Sequence, residues 1–203
     1  MRMPLILAGA ALAVAAPLLA QQMPIPGTAD VSRVAAGTYK TDPAHTLIGW
    51  RVNHLGFNDY FGIFGDADGT LVLDPKKPAA AKLDVTIPVS KLTTASAGLT
   101  KHMMSKDFFN AEVTPTARFT STAVKVSGTR ATITGNLTLN GVTKPVVLNA
   151  HFTGAGANPM SKKPTIGFEA DAKIKRSDFN IAYGIPAVSD EVELDISAAF
   201  EQA

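Results

Sequence analysis

The sequence predicts an all-β protein, an antiparallel β-barrel of about eight strands with one short helix near an opening. Two observations predict this fold. Apolar and polar residues alternate with a period of two along most of the chain after Tyr39, which is typical of strands that bury one face and expose the other. Charged residues make up 18% of the 203 residues and apolar residues 46%, which suits one folded domain with a sizeable core and not a disordered chain.

The first twenty residues have the features of a secretory signal peptide. A short basic start precedes an apolar run over 5–16, which at about a dozen residues is too short to span the ~30 Å hydrocarbon core of a membrane as a helix. We expect cleavage after Ala20, because cleavage after Ala16 would leave Pro17 at the new N-terminus. The alternative is an uncleaved membrane anchor.

Residues 21–37 are rich in Pro, Gly and Ala and show neither a strand nor a helix period. This pattern predicts a flexible lead-in, so that the barrel domain covers 38–203. The first strand of that domain with a clear pattern places four side chains on one face: Ile48, Trp50, Val52 and His54. Three apolar side chains, followed along the strand by the titratable ring of His54, suggest the wall and the mouth of a pocket.

Later strands follow from the same alternation. It is clearest in five segments: 82–87, 131–140, 142–152, 166–175 and 191–200. Between the second and the third, Asn140-Gly141 is typical of a two-residue hairpin turn. Closing so many neighbouring strands into a barrel would leave no unpaired edge.

One segment departs from the strand period. Over 96–105, Leu99, Met103 and Met104 have helical spacing, which predicts a short helix over an opening of the barrel. An irregular loop is the alternative.

Small side chains recur at the positions predicted to face inward. They are Gly65, Gly69, Ala117, Ala123, Ala131, Gly135, Ala150, Ala170, Ala172 and Ala198. An eight-stranded barrel lined in this way has room for one small ligand. The alternative is a flattened sandwich whose two sheets approach closely over the small residues.

Composition excludes several classes of function. The chain has no cysteine, which rules out disulfides and thiolate catalysis. Its net charge is +2, and no basic stripe is present that would indicate a nucleic-acid partner. The four histidines, His45, His54, His102 and His151, lack metal-site spacing, so we expect neither a metal nor another cofactor.

Asp42 and His45 are three residues apart, on a turn that Asp42-Pro43 opens. A carboxylate beside an imidazole is the beginning of a general-base pair, but no Gly-x-Ser-x-Gly elbow accompanies it. Asp42 could equally cap the turn through the backbone. Arg176 is a second candidate, since a guanidinium suits a phosphate or a carboxylate; pairing with Asp178 at the surface is its alternative.

Taken together, these residues resemble the YceI-like (polyisoprenoid-binding) family over 38–201. The resemblance rests on four motifs in the family's order: Asp42-x-x-His45 with His54 and Gly62-x-Phe64; Ser105-Lys-Asp107-Phe108-Phe109; Gly135-x-Leu-Thr-Leu-x-Gly141-Val-Thr-Lys-Pro145; and Arg176-Ser-Asp178-Phe179. The sequence departs from the family pattern at Trp50, where Phe is more usual, and at Asn180, where Gly is common.

The resemblance implies a lipocalin-like, extended β-barrel in the periplasm that encloses a long isoprenoid chain, as a polyprenyl phosphate or an isoprenoid quinone. On this basis seven residues are predicted to line the ligand tunnel: Ile48, Trp50, Val52, Phe119, Ile133, Leu137 and Phe168. Four are predicted to gather at the head group: Asp42, His45, His54 and Arg176.

The predicted function is therefore that of a binding or carrier protein, not an enzyme. Its expected partner is an isoprenoid lipid or another long-chain amphiphile, without nucleic acid and without stable membrane insertion; a homodimer is left open. One alternative is an extracytoplasmic enzyme that acts on a lipid-like substrate through Asp42 and His45. Another is a secreted interaction module with a collapsed interior.

Overall fold

The computed structural model describes residues 25–203, and this part of the chain contains eleven strands and one α-helix. The strands are β1 Gly37–Thr41, β2 Leu47–His54, β3 Asn58–Phe64, β4 Asp68–Leu73, β5 Lys82–Pro88, β6 Leu92–Thr94, β7 Thr116–Ser127, β8 Arg130–Leu139, β9 Val142–Ala157, β10 Pro164–Lys175 and β11 Glu191–Gln202. The helix, α1, is Ala97–Met103. The predicted signal peptide, 1–20, lies outside the described residues.

Eight of the strands form a closed antiparallel ring in the order β1, β4, β5, β7, β8, β9, β10, β11. The ring closes where β1 pairs with β11, with Tyr39 opposite Gln202. The predicted barrel is confirmed, and the closed ring contradicts a two-sheet sandwich. Closure satisfies the backbone groups that an open sheet would leave unpaired along its edges.

The three remaining strands lengthen the barrel in one direction. β2 follows β1 after a short turn and pairs with β11 in its place, β3 pairs with β2, and β6 pairs with β3. The end of the barrel that carries α1, the β2–β3 and β8–β9 hairpins and residues 176–190 is called the upper end here. The end that carries the β7–β8 and β9–β10 hairpins and residues 74–81 is the lower end.

Local sequence signals account for the turns. At the β8–β9 hairpin, Asn140 and Gly141 have φ angles of 48° and 75°, as a type I′ turn requires. The side chain of Ser96 accepts a hydrogen bond from the backbone N–H of Leu99 and caps α1, so the predicted short helix is confirmed. Asn180 adopts φ 60° and ψ 25°, a left-handed conformation that asparagine tolerates better than most residues.

A β-bulge corrects one predicted inward position. Ser121 lies opposite Gly135 on β8, but Ala123 lies opposite Thr134, so Thr122 is an extra residue in β7. The bulge shifts the alternation by one, and Val124 faces the interior in place of exposed Ala123. The prediction that Ala123 faces inward is therefore wrong.

The described part of the N-terminal segment, 25–36, lies against the lower end. Thr28 and Ala155 on β9 exchange backbone hydrogen bonds of 3.1 and 2.8 Å. Val34 packs against a buried cluster that includes Tyr39 and Phe152, and the hydroxyl of Tyr39 donates a 2.7 Å hydrogen bond to the carbonyl of Ala35. Among residues 25–203, no helix combines the length and the hydropathy that a membrane crossing needs.

Candidate functional site

The interior of the barrel contains two neighbouring cavities, which we call the lower and the upper compartment. Their volumes are about 360 and about 400 Å³. Four apolar side chains line both of them and form a waist between the two: Ile48, Ile87, Leu137 and Leu194. Each volume alone is within the range of small-molecule sites, and the shared wall makes them two parts of one interior.

The lower compartment is lined almost wholly by aliphatic and aromatic side chains. Three rings of this lining pack edge to face, with centroids 5.8 Å apart for Phe152 and Phe168 and 6.1 Å apart for Phe168 and Phe200. The hydroxyl of Thr41, which also lines it, accepts a 2.8 Å hydrogen bond from the N–H of Gly69. Its wall therefore offers a ligand mainly apolar contact.

The upper compartment is also mainly apolar, but its few polar side chains include two imidazoles and a phenol. His54, His102 and Tyr183 lie along it together with Phe108. The centroids of the rings of His102, Phe108 and Tyr183 lie 5.0 to 5.2 Å apart, and these rings connect α1 and the segment after it to the loop over 176–190. This end can present hydrogen-bonding groups beside an apolar interior.

Arg176 also lines the upper compartment, but its guanidinium is used within the protein. The residue is 6% exposed and donates to the carbonyls of Ser189, Ile181, Tyr183 and Val188 at 2.7 to 3.2 Å. Burial lowers the pKa of Arg176, and the nearby charge of Asp190 opposes that shift. Arg176 thus holds the loop that covers the upper end.

All seven residues predicted to line a tunnel do line these compartments. Ile48 and Leu137 border both; Trp50 and Val52 border the upper one; Phe119, Ile133 and Phe168 border the lower one. Their contact with a ligand stays a prediction. Period-two alternation placed them correctly on the inner face because β2, β8 and β10 carry no extra residue at these positions and Phe119 precedes the irregularity in β7.

The four predicted head-group residues do not come together. His54 and Arg176 line the upper compartment, whereas Asp42 and His45 lie in the turn between β1 and β2 and line neither compartment. β2 separates the two pairs by more than about 20 Å, because an extended strand advances ~3.3 Å per residue. The prediction that all four gather at one end is wrong.

Asp42 and His45 form a close pair on the outside of the barrel. Oδ2 of Asp42 is 2.6 Å from Nδ1 of His45, whose side chain is 77% exposed. The other carboxylate oxygen of Asp42 accepts a hydrogen bond from the N–H of Ala44 and caps the turn. This geometry matches the capping interpretation of the pair.

The sequence reasoning missed several side chains of the lining. Phe152 and Phe200 share the inward face of predicted strands and could have been found from that pattern. His102, Phe108 and Tyr183 lie outside the strands, so no period indicated which way they face.

A sequence model of the YceI-like domain matches residues 39–200, which is nearly the whole described barrel. The chain belongs to the YceI-like family. Protein YceI of Salmonella arizonae is 47% identical to it over 164 residues, which cover 80% of this chain and 85% of that protein.

Solved structures show the same fold. BcnA of Burkholderia cenocepacia has a TM-score of 0.70 at 26% identity and covers 78% of this chain and 98% of its own. A polyisoprenoid-binding domain of Saccharophagus degradans has a TM-score of 0.62 at 15% identity and covers 81% of this chain and 98% of its own. At that identity the second comparison concerns the fold alone.

Proposed function

We propose that this protein binds one long-chain isoprenoid lipid inside the barrel and carries it through the periplasm. The observation that carries the proposal is the pair of neighbouring apolar compartments that share the side chains of Ile48, Ile87, Leu137 and Leu194 at the waist. Such an interior suits a long flexible hydrocarbon, which would run from one compartment into the other. A polyprenyl phosphate and an isoprenoid quinone are the two candidate ligands.

Burial of the chain supplies the affinity. Transfer of apolar carbon from water contributes ~0.8 kcal/mol per CH₂, so a chain in contact with both compartments needs few polar interactions. Those few are required to orient its polar end.

We place the polar end of the ligand at the upper compartment. The side chains of His54, His102 and Tyr183 line that compartment and can offer hydrogen bonds. The guanidinium of Arg176 already donates to four backbone carbonyls, so it is less suited to hold a phosphate than the sequence suggested.

The alternative of an enzyme that uses Asp42 and His45 gains no support from their position. The pair lies on the outer surface of the barrel and borders neither compartment. A lipid in the interior would be separated from the imidazole by the barrel wall.

The proposal is tested by purifying the mature protein from periplasmic extract without detergent and identifying extracted lipid by mass spectrometry. We expect a polyprenyl compound bound one to one, and displacement of it by added polyprenyl phosphate or isoprenoid quinone. Protein without bound lipid that also fails to take up either probe would contradict the proposal.

A further inference from the structure

The width of the upper compartment depends on how one large side chain lies against its wall. Trp50, the single tryptophan of the chain, is on β2 and pairs directly with Gly62 on β3. The residue is 7% exposed and its ring covers Gly62. A Cβ atom added to Gly62 would lie 2.8 Å from the indole nitrogen and still closer to two ring carbons.

Neighbouring residues on β3 confirm that the ring lies along the wall. Tyr60 and Phe64, two positions before and after Gly62 on the same face of the strand, both line the upper compartment. Gly62 does not, because the indole of Trp50 lies over it. The bulkiest side chain of the interior thus occupies the space that a side chain at residue 62 would take.

The requirement for glycine at this position is steric. The φ angle of Gly62 is outside the left-handed region, so the backbone would accept alanine. All three atoms nearest to the added Cβ belong to the indole. An added methyl group would therefore displace the ring, and the open space beside the ring is the upper compartment.

The packing of the ring over Gly62 also has a cost. Nε1 of Trp50 is buried without a hydrogen-bond partner, the one such side-chain atom found within residues 25–203. A buried indole N–H normally has a partner. The ring is thus placed by its contact with the wall and not by a polar interaction.

We propose that Gly62 and Trp50 together determine the length of chain that the protein accepts, by keeping the upper compartment wide enough for a chain to continue through the waist. This inference rests on the proposed function. A short isoprenoid needs one compartment, whereas a long one needs both. A narrowed upper compartment should therefore exclude the long chain. A short alcohol, which has no phosphate or quinone group to be held at the upper end, keeps a place in the lower compartment.

Delipidated protein, loaded from detergent micelles with farnesol or with the much longer polyprenol solanesol, tests this inference. Bound alcohol is extracted and quantified for the wild-type protein, for Gly62→Ala, for Trp50→Val and for the double variant. Gly65→Ala is the matched control, because a Cβ atom at Gly65 would have no heavy atom within 4 Å.

We expect Gly62→Ala to lower the affinity for solanesol about tenfold and that for farnesol less than about twofold. In the Trp50→Val background the same glycine substitution should have little effect on either probe, since no ring remains to be displaced. Gly65→Ala should load both probes as the wild type does. Tryptophan fluorescence should change in Gly62→Ala, because Trp50 is its only source.

Three results would overturn the inference: unchanged solanesol loading in Gly62→Ala, equal losses for both probes, or the same loss with and without Trp50. A wild-type protein that loads farnesol but not solanesol would also overturn it, because no chain would then span both compartments. Wild-type protein that loads neither probe would instead count against the proposed function.

Discussion

The two ends of the barrel are stabilised in different ways. At the lower end, backbone pairing continues to the rim, and Thr28 extends it by bonding to Ala155 of β9. At the upper end, α1 and the loop over 176–190 cover the opening, and four of the carbonyls in that loop depend on the side chain of Arg176. The lower end is thus stabilised by backbone hydrogen bonds between neighbouring segments, and the upper end by hydrogen bonds from one side chain.

This difference shows where polar groups can be placed without loss of the fold. A regular strand satisfies its own backbone and presents apolar side chains to the interior, which suits the lower compartment. A covering loop needs side chains to satisfy its backbone. The loop over 176–190 also brings Tyr183 to the interior, where it meets His102 of α1. The upper end therefore combines a loop that one side chain holds in place with imidazole and phenol groups that face the interior.

The largest effect should come from removing the guanidinium at the upper end. Arg176→Met keeps much of the apolar stem but leaves four carbonyls without their donor, so we expect a loss of about 3–5 kcal/mol in the free energy of unfolding. Urea unfolding measures it. The control is Lys175→Met at the exposed neighbouring position. A loss no greater than that of the control would remove the contrast between the two ends.

A smaller and local effect is expected at the lower end from Gly156→Ala. An added Cβ atom would lie 2.7 Å from the carbonyl carbon of Pro26 and would push the N-terminal segment away from β9. We expect faster trypsin cleavage at Arg33, with a change of about 1 kcal/mol or less in global stability, because the barrel pairing remains.

Gly154→Ala is the control for that experiment. Its Cβ atom would approach Thr28 no closer than 3.4 Å, so cleavage at Arg33 should change little. Equal cleavage rates in the two variants would show that the segment is not held by close approach at Gly156.

The smallest effect concerns the pH dependence of the upper loop. Partial burial opposes ionisation of Asp190, but hydrogen bonds from the hydroxyl and N–H of Ser177 outweigh it and lower the pKa of the carboxyl group. A lowered folded-state pKa gives stability that is present above the unfolded value of about 3.9 and is lost as the pH falls through the folded value.

Asp190→Asn should therefore destabilise the protein more at about pH 7 than at about pH 3. At both pH values the loss in the free energy of unfolding should be smaller than that of Arg176→Met. Urea midpoints at the two pH values measure it. Asp84→Asn is the comparison in the barrel wall, where the hydrogen bond from Arg118 lowers the pKa of Asp84. The ion pair of Asp84 and Arg118 is exposed, so we expect Asp84→Asn to show a pH dependence of the same direction but smaller than that of Asp190→Asn. A stability difference between the wild type and Asp190→Asn that is larger at about pH 3 than at about pH 7 would contradict the lowered pKa of Asp190.

Much of the wall could be predicted from the sequence, because a strand alternates its side chains strictly. This rule placed Ile48, Trp50 and Ile133 on the inner face, and the Asn140-Gly141 turn and the Ser96 cap followed from local chemistry. It failed at Ala123, where one extra residue in β7 reverses the faces. A bulge of this kind depends on the partner strand, which a local pattern does not contain.

By itself, the sequence determined that the chain is all-β, that it has an apolar inner face and that one short helix interrupts it. Only the tertiary structure decided which polar residues meet, since β2 separates His45 from His54 along its whole length while Arg176 reaches four carbonyls of a folded loop. The same is true of Trp50 and Gly62. The period places the indole inside, but its contact with β3 determines whether it obstructs the barrel or lies along the wall, because contacts across strands depend on register and not on sequence spacing.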